Sequence, residues 1–266
     1  MNFIIRSKMF LSTPPPASLS ILLLFLTAAS AEVPKGIDIL TRVEHNTRMT
    51  TDITATVSLT QQKTGQGIKV IDMQFYRRDS DNSFLIIMTA PESDKGNGYL
   101  RVGDNFWMYR RNTRTFQHIN RDESIGGSDA QGDDFEGRLL SEMYGPAKDS
   151  TGKELISEEM LGKIPVWRFE VTAIVNDVDY PKKVYWVRKD KTVMLKESSY
   201  SSSGTLMQTA YYLTFTDIKG HLVPVKQLFI DEFEKGNKTI VEISGISTEK
   251  LNDEIFTKAY LENLSK

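Results

Sequence analysis

The sequence predicts a mainly β protein: an antiparallel meander of about ten strands that curls into a barrel or half-barrel, accompanied by helices. Three observations carry this. From residue 53 onward short runs alternate apolar with polar, as Ile53, Ala55, Val57 and Leu59 do with Thr54, Thr56, Ser58 and Thr60. Turn residues punctuate these runs at short intervals, so consecutive strands pair locally. Helical spacing before the C-terminal tail is confined to two segments, one ahead of the strands and one between their halves.

The first 31 residues read as a secretory signal. Arg6 and Lys8 precede the apolar run 19–26, and the small residues Ala28-Ala29-Ser30-Ala31 follow it. The run is well short of the ~20 residues of a membrane span, and Pro14-Pro15-Pro16 stops any extension of it. Cleavage after Ala31 removes 31 of the 266 residues and leaves 235.

Residues 36–49 predict a short amphipathic helix, with Ile39, Leu40 and Val43 on one side and Met49 reaching it. Strands are expected over 53–60 and 68–78 around the Gly65-Gln66-Gly67 turn, then over 84–89, where Pro91 ends the run. Three more follow over 99–102, 106–110 and 115–119, separated by Gly103-Asp104-Asn105 and Arg111-Asn112-Thr113. Residues 133–144 then predict an inserted helix with Phe135, Leu139, Leu140 and Met143 on one face, ended by Gly145-Pro146. The second half is again strands, over 155–161, 166–175, 182–188, 193–199, 206–216, 222–232 and 238–247, and a short helical tail near 256–261 closes the chain. No linker or repeat divides residues 32–266, which read as one domain.

Composition excludes several kinds of chemistry. Without cysteine the chain has no disulfide, thiolate nucleophile, Cys-ligated zinc or iron–sulfur cluster, and no residue to carry a lipoprotein's lipid. The 33 basic and 35 acidic residues become 31 and 35 once Arg6 and Lys8 are removed, a net charge of −4 that gives no reason to expect nucleic acid. His45, His118 and His221 stand apart, with no His-x-His or His-Glu-x-x-His pair. Nucleophile-elbow and phosphate-cradling glycine motifs are absent as well. The acidic cluster Asp129, Asp133, Asp134 and Glu136 lacks calcium-loop spacing and suits a helix start. No cofactor, metal or enzymatic activity is expected.

Apolar aromatics and methionines are more informative. Phe106-Trp107-Met108-Tyr109 is apolar on both faces of one strand, and Trp167, Phe169, Tyr185, Trp186, Tyr211, Tyr212 and Phe215 recur later. Strands of this kind need cover on both sides, and methionine-rich walls suit flexible apolar ligands.

One ordered set of motifs goes further. Thr89-Ala90-Pro91, Lys95-Gly96-x-Gly98-Tyr99-Leu100-Arg101-x-Gly103-Asp104-Asn105-x-Trp107-Met108-Tyr109, Gly127-Ser128-Asp129, Asp134-Phe135-Glu136 and Tyr180-Pro181 through Trp186-Val187-x-Lys189-Asp190 occur in this order. Together they resemble the outer-membrane lipoprotein-sorting protein family, relatives of the periplasmic lipoprotein carrier LolA. The resemblance implies an unclosed antiparallel β-barrel of about ten to eleven strands, with helices covering its concave apolar face. It implies a monomeric periplasmic carrier that takes acylated lipoprotein or another lipid from an inner-membrane transporter of ABC or RND type to an outer-membrane acceptor. On that reading Trp107, Tyr109, Phe135, Leu139, Met143 and Trp186 line the lipid cavity. A lid-controlling arginine of the family matches Tyr76-Arg77-Arg78, where Asp79 stands in place of the family's proline; both Arg77 and Arg78 qualify. The alternative is a lipid- or partner-binding sensor module associated with an RND-type exporter.

Overall fold

The computed structural model describes residues 33–49, 51–120, 123, 125–127 and 138–266. Helix α1 (Gly36–Thr47) forms where the spacing predicts it, and it buries Ile39, Leu40 and Val43. Lys35 supplies no side-chain cap. A distant carboxylate does that work: Gly36 N–H donates to Glu154 Oε2 at 2.7 Å, which satisfies a free amide at the positive end of the helix. At the other end Asn46 Nδ2 donates to the carbonyls of Lys191 at 3.0 Å and Thr192 at 3.3 Å.

Fourteen strands follow among the described residues. The first six are β1 (Ile53–Lys63), β2 (Gly67–Arg78), β3 (Ser83–Ala90), β4 (Gly98–Val102), β5 (Asn105–Arg110) and β6 (Thr115–His118). After a short helix α2 (Leu140–Met143) come β7 (Tyr144–Pro146), β8 (Ile156–Leu161), β9 (Ile164–Ala173), β10 (Lys182–Arg188) and β11 (Met194–Tyr200). The last three are β12 (Leu206–Ile218), β13 (His221–Asp231) and β14 (Lys238–Ser247), and helix α3 (Lys258–Leu264) ends the chain.

The strands form one antiparallel sheet in the order β6-β5-β4-β3-β2-β1-β14-β13-β12-β11-β10-β9-β7, with β8 also paired to β9. Two meanders therefore meet where the first strand pairs with the last, Val57 opposite Ile243 and Leu59 opposite Val241. The sheet does not close, since β6 and β7 end it without pairing to each other.

Two expectations need correction. Fourteen strands exceed the expected ten to eleven: each of the thirteen runs marked out by alternation and turns forms a strand, and β7 adds one over Tyr144–Pro146. The inserted helix is also shorter than 133–144 at its described end. Leu139 is extended at φ −80° and ψ 132°, the helix covers only Leu140–Met143, and Tyr144 is already a strand residue opposite Ala173. Pairing with β9 takes the backbone that helical periodicity had assigned to a last turn. The stretch 133–137, with its acidic cluster, lies outside the described residues, as do the first 31 residues.

Register gives the sheet two distinct faces. The inner face, on which α1 packs, carries Val57, Leu59, Ile71, Met73, Phe75, Phe84, Ile86 and Phe106 in one apolar cluster. In the other meander α1 packs against Phe169, Val171, Tyr185, Val187 and Met194. On the outer face Leu85, Ile87, Leu100 and Tyr109 are covered by Leu251, Phe256 and Leu261 from the C-terminal segment.

The glycines of the Lys95-Gly96-x-Gly98 motif serve this outer packing. A Cβ on Gly98 would lie 2.5 Å from the Ile86 carbonyl oxygen and 2.6 Å from Leu261 Cδ1. At Gly96 the φ of +82° is left-handed, and a Cβ there would meet Ser265 O at 2.9 Å. Replacing Gly98 by Ala should therefore destabilise the protein by about 1–3 kcal/mol through overpacking between β3 and α3. Thermal unfolding measures this; an unchanged midpoint would mean that α3 is not seated on β4.

Candidate functional site

Ladder register determines which side chains meet on the inner face. One row runs across the second meander as Phe169, Tyr185, Glu197, Ala210 and Phe229, each opposite the next. A neighbouring row holds Val171, Lys183, Ser199 and Gln208. Most of these residues build an apolar floor, but Lys183 and Glu197 place two charges on it.

Between this floor and the helices lie two adjoining cavities. The first, of about 320 Å³, is bounded by Val43 and Glu44 of α1, by Leu139 and Leu140, and by Val57, Phe75, Phe229, Val241 and Ile243 of the sheet. The second, of about 220 Å³, is bounded by Leu140, Met143, Tyr144, Tyr180, Lys183, Glu197 and Ala210. Arg138, Leu140, Tyr212 and Phe229 border both, so the two are chambers of one trough crossed by Leu140. Small-molecule sites typically span ~300–1,000 Å³ and are mostly apolar with a few fixed polar groups. The first chamber fits the lower part of that range.

The cover over the trough is held by polar ties. Glu44 of α1 accepts from Ser141 N–H at 2.6 Å and from Ser141 Oγ at 2.9 Å, clasping α2 to α1. Arg138 pairs with Asp177 at 3.0 Å, and Ile174 N–H donates to the Met143 carbonyl at 2.9 Å. A charge-assisted bond of the Glu44 kind contributes roughly 1.5–3 kcal/mol. That is enough to hold a cover and small enough for ligand binding to offset.

Polar chemistry concentrates in the second chamber. Lys183 Nζ lies 2.6 Å from Glu197 Oε1, with the two side chains only 16% and 10% exposed. Ser199 Oγ donates to the same carboxylate oxygen at 3.1 Å. Tyr144 and Tyr180 present their rings to the ammonium, with centroids at 5.3 and 5.9 Å, within cation–π range. The hydroxyl of Tyr185 is fully buried without a hydrogen-bond partner among the described residues. Burial drives its pKa well above the ordinary tyrosine value, and the Glu197 charge adds to that.

Leu139 and Met143 border the trough, in the first and second chambers respectively. Trp107 and Tyr109 do not. They lie on the outer face in the cluster covered by the C-terminal segment, where Lys258 Nζ sits 4.3 Å from the Trp107 ring centroid. Their strand neighbours Phe106 and Met108 belong to the inner cluster instead, the one-residue parity on which a strand's facing depends. Trp186 is likewise on the outer face, opposite Lys196 and Arg168. It is flanked by their cations at 4.4 and 5.8 Å. Phe135 lies outside the described residues.

The two arginines separate by the same parity. Arg77 borders the first chamber and pairs with Asp79. Arg78 points to the other side, where it binds Asp81 at 2.7 Å and Asp253 at 2.6 Å and stacks over Phe256 at 4.6 Å.

Glu44, Tyr212, Phe229, Lys183 and Glu197 were missed as site residues. Period-two reading of residues 182–188 puts Lys183 on the face of Tyr185 and Val187, a signal that was available. Among the described residues no group of three or more His, Cys, Asp or Glu is arranged to hold a metal. No helix there is long and apolar enough to cross a membrane.

Comparison with known proteins places the architecture. No curated protein matches the sequence. Three solved structures share the fold. A LolA-superfamily protein from Nitrosomonas europaea superposes with a TM-score of 0.71 at 20% identity, covering 86% of this chain and 100% of that one. An outer-membrane lipoprotein-sorting protein domain from Vibrio parahaemolyticus gives 0.73 at 17% identity, with 85% and 98% covered. A DUF1329-family protein from Desulfovibrio piger gives 0.75 at 20% identity, with 85% and 97% covered. A family model described only as that of an uncharacterized protein matches residues 80–263. The chain belongs to the family of that model, and its unclosed β half-barrel is the LolA-superfamily fold that its motifs resemble.

Proposed function

We propose that this protein is a periplasmic carrier that shields the acyl chains of a lipoprotein or another lipid in the trough and hands them towards the outer membrane. The observation that supports this most is the first chamber, a space lined mainly by apolar side chains of both meanders, bordered by Arg77 and Arg138 and roofed by α1 and Leu139. Each buried methylene is worth roughly 0.8 kcal/mol, so a long chain does not leave such a site into water at a useful rate. Direct transfer to an acceptor is required, and the cover must open for it. The secretory signal over residues 1–31 would deliver the chain to the periplasm, where an ABC- or RND-type inner-membrane complex acts as donor. No catalytic role is assigned to any residue; binding is the whole activity.

Arg77 is the arginine we assign to cover control, because it borders the chamber, whereas Arg78 anchors the C-terminal segment. The double variant Arg77→Ala/Asp79→Ala, which leaves no buried carboxylate stranded, should change lipid retention several-fold with little change in melting temperature. Arg78→Ala should lower stability by about 1 kcal/mol and leave retention alone. The opposite pattern, read by lipid-release kinetics beside thermal unfolding, would exchange the two roles.

Placing a charge in the roof tests the site itself. Leu139→Glu and Met143→Glu should reduce lipid extraction at least about tenfold, since each puts a carboxylate where an acyl chain would otherwise meet an apolar side chain, with circular dichroism unchanged. Native mass spectrometry of protein taken from its own periplasm should show a bound lipid or acylated peptide. An empty protein in stoichiometric complex with another protein would favour the sensor module.

A further inference from the structure

The second chamber has a composition that acyl-chain binding alone does not explain. Lys183 and Glu197 stand on a floor that also carries Phe169, Val171, Tyr185 and Ala210, with Ser199 and Gln208 beside them and Arg138 and Asp179 at the chamber's border, and they are paired at 2.6 Å and largely shielded from water. Ser199 adds a donor to Glu197, and Tyr185 sits next to Glu197 in the ladder with its hydroxyl unpartnered. A well-packed apolar pair would serve stability at least as well as a buried ion pair. The charges are therefore better understood as facing a ligand that enters the trough.

We propose that the second chamber is a head-group subsite and that the cargo is an amphiphile with a zwitterionic head, its chains in the first chamber and its head against Lys183 and Glu197. This deepens the carrier reading and rests on it. The sign of the head follows from the pair. A purely anionic head would draw Lys183 away and leave Glu197 buried beside Tyr185 and Ala210 without its cation. A purely cationic head would compete with Lys183 for Glu197. A head bearing both charges can replace each partner with the other's equivalent, its anion on Lys183 and its ammonium on Glu197. The rings of Tyr144 and Tyr180, already turned to one ammonium, can hold a second. Leu140, shared by both chambers, marks the junction of head and chain.

The test compares three lipids with identical chains on delipidated full-length mature protein: phosphatidylethanolamine, phosphatidylglycerol and diacylglycerol. Displacement of a fluorescent fatty acid reports affinity. Phosphatidylethanolamine should bind at least about tenfold more tightly than the other two. In the double variant Lys183→Met/Glu197→Met, which removes both charges together and so leaves neither stranded, the three affinities should converge to within about threefold. Preference for phosphatidylglycerol, equal binding of all three by the unmodified protein, or a preference that survives in the double variant would overturn the head-group assignment while leaving the carrier intact. Failure of the fluorescent fatty acid itself to bind would overturn the carrier reading.

Discussion

The structure depends on one constraint: an open antiparallel sheet with an apolar inner face has to be covered by something other than another sheet. Closing the barrel would bury that face permanently, and a second sheet would fill it. Here the cover is α1, seated by Ile39, Leu40 and Val43 on the second meander. It is fixed at its ends by Glu154 and by the turn at Lys191 and Thr192. A helix fills a curved face less completely than a sheet would. The space it leaves is the trough, so the cavity is a consequence of how the apolar face is covered and not an addition to the fold.

The outer face solves the same problem differently. There the C-terminal segment packs tightly enough that Gly98 cannot accept a Cβ, and Arg78 ties the segment to the sheet through Asp253 and Phe256. One side of β3, β4 and β5 is thus closed by close packing, while the inner side of the sheet opens into chambers under a roof held by the Glu44–Ser141 clasp. On the carrier reading, this cover is the part that would have to move without unfolding the sheet. Differential affinity of open and covered states for a chain would then couple binding to that movement.

Helix α1 and nearly all strands could be read directly from periodicity, since a three-residue apolar stripe and strict alternation leave little choice of element. Site residues were harder, for a reason specific to strands that are apolar on both faces. Phe106, Trp107, Met108 and Tyr109 offer no polar residue to mark the outside, so their hydrophobicity cannot say which pair faces the trough. Only ladder pairing with β4, and the presence of α3 on one side, settles that Phe106 and Met108 turn inward. Trp186, expected in the cavity wall with Trp107 and Tyr109, is instead flanked by Lys196 and Arg168 on the outer face. Beyond the period-two parity of Lys183, nothing in the sequence sets Lys183 and Glu197 apart from the other charged residues, which are ordinarily solvated. The motif glycines were noticed as markers of resemblance, and their physical reason, the proximity of Leu261 and Ser265, emerges only from contacts across the chain.

Acyl chains held in the inner trough, as proposed, would leave the aromatic outer face untouched. The sequence contains three tryptophans, and two single-tryptophan proteins separate these sites. One retains Trp107, with Trp167→Phe and Trp186→Phe; the other carries Phe229→Trp, with all three native tryptophans replaced by Phe. Both are titrated with a lipid brominated along its chains, whose bromines quench only nearby indoles. The account predicts strong quenching of the tryptophan at position 229 and none of Trp107. Quenching of Trp107 with the introduced tryptophan unaffected would contradict it.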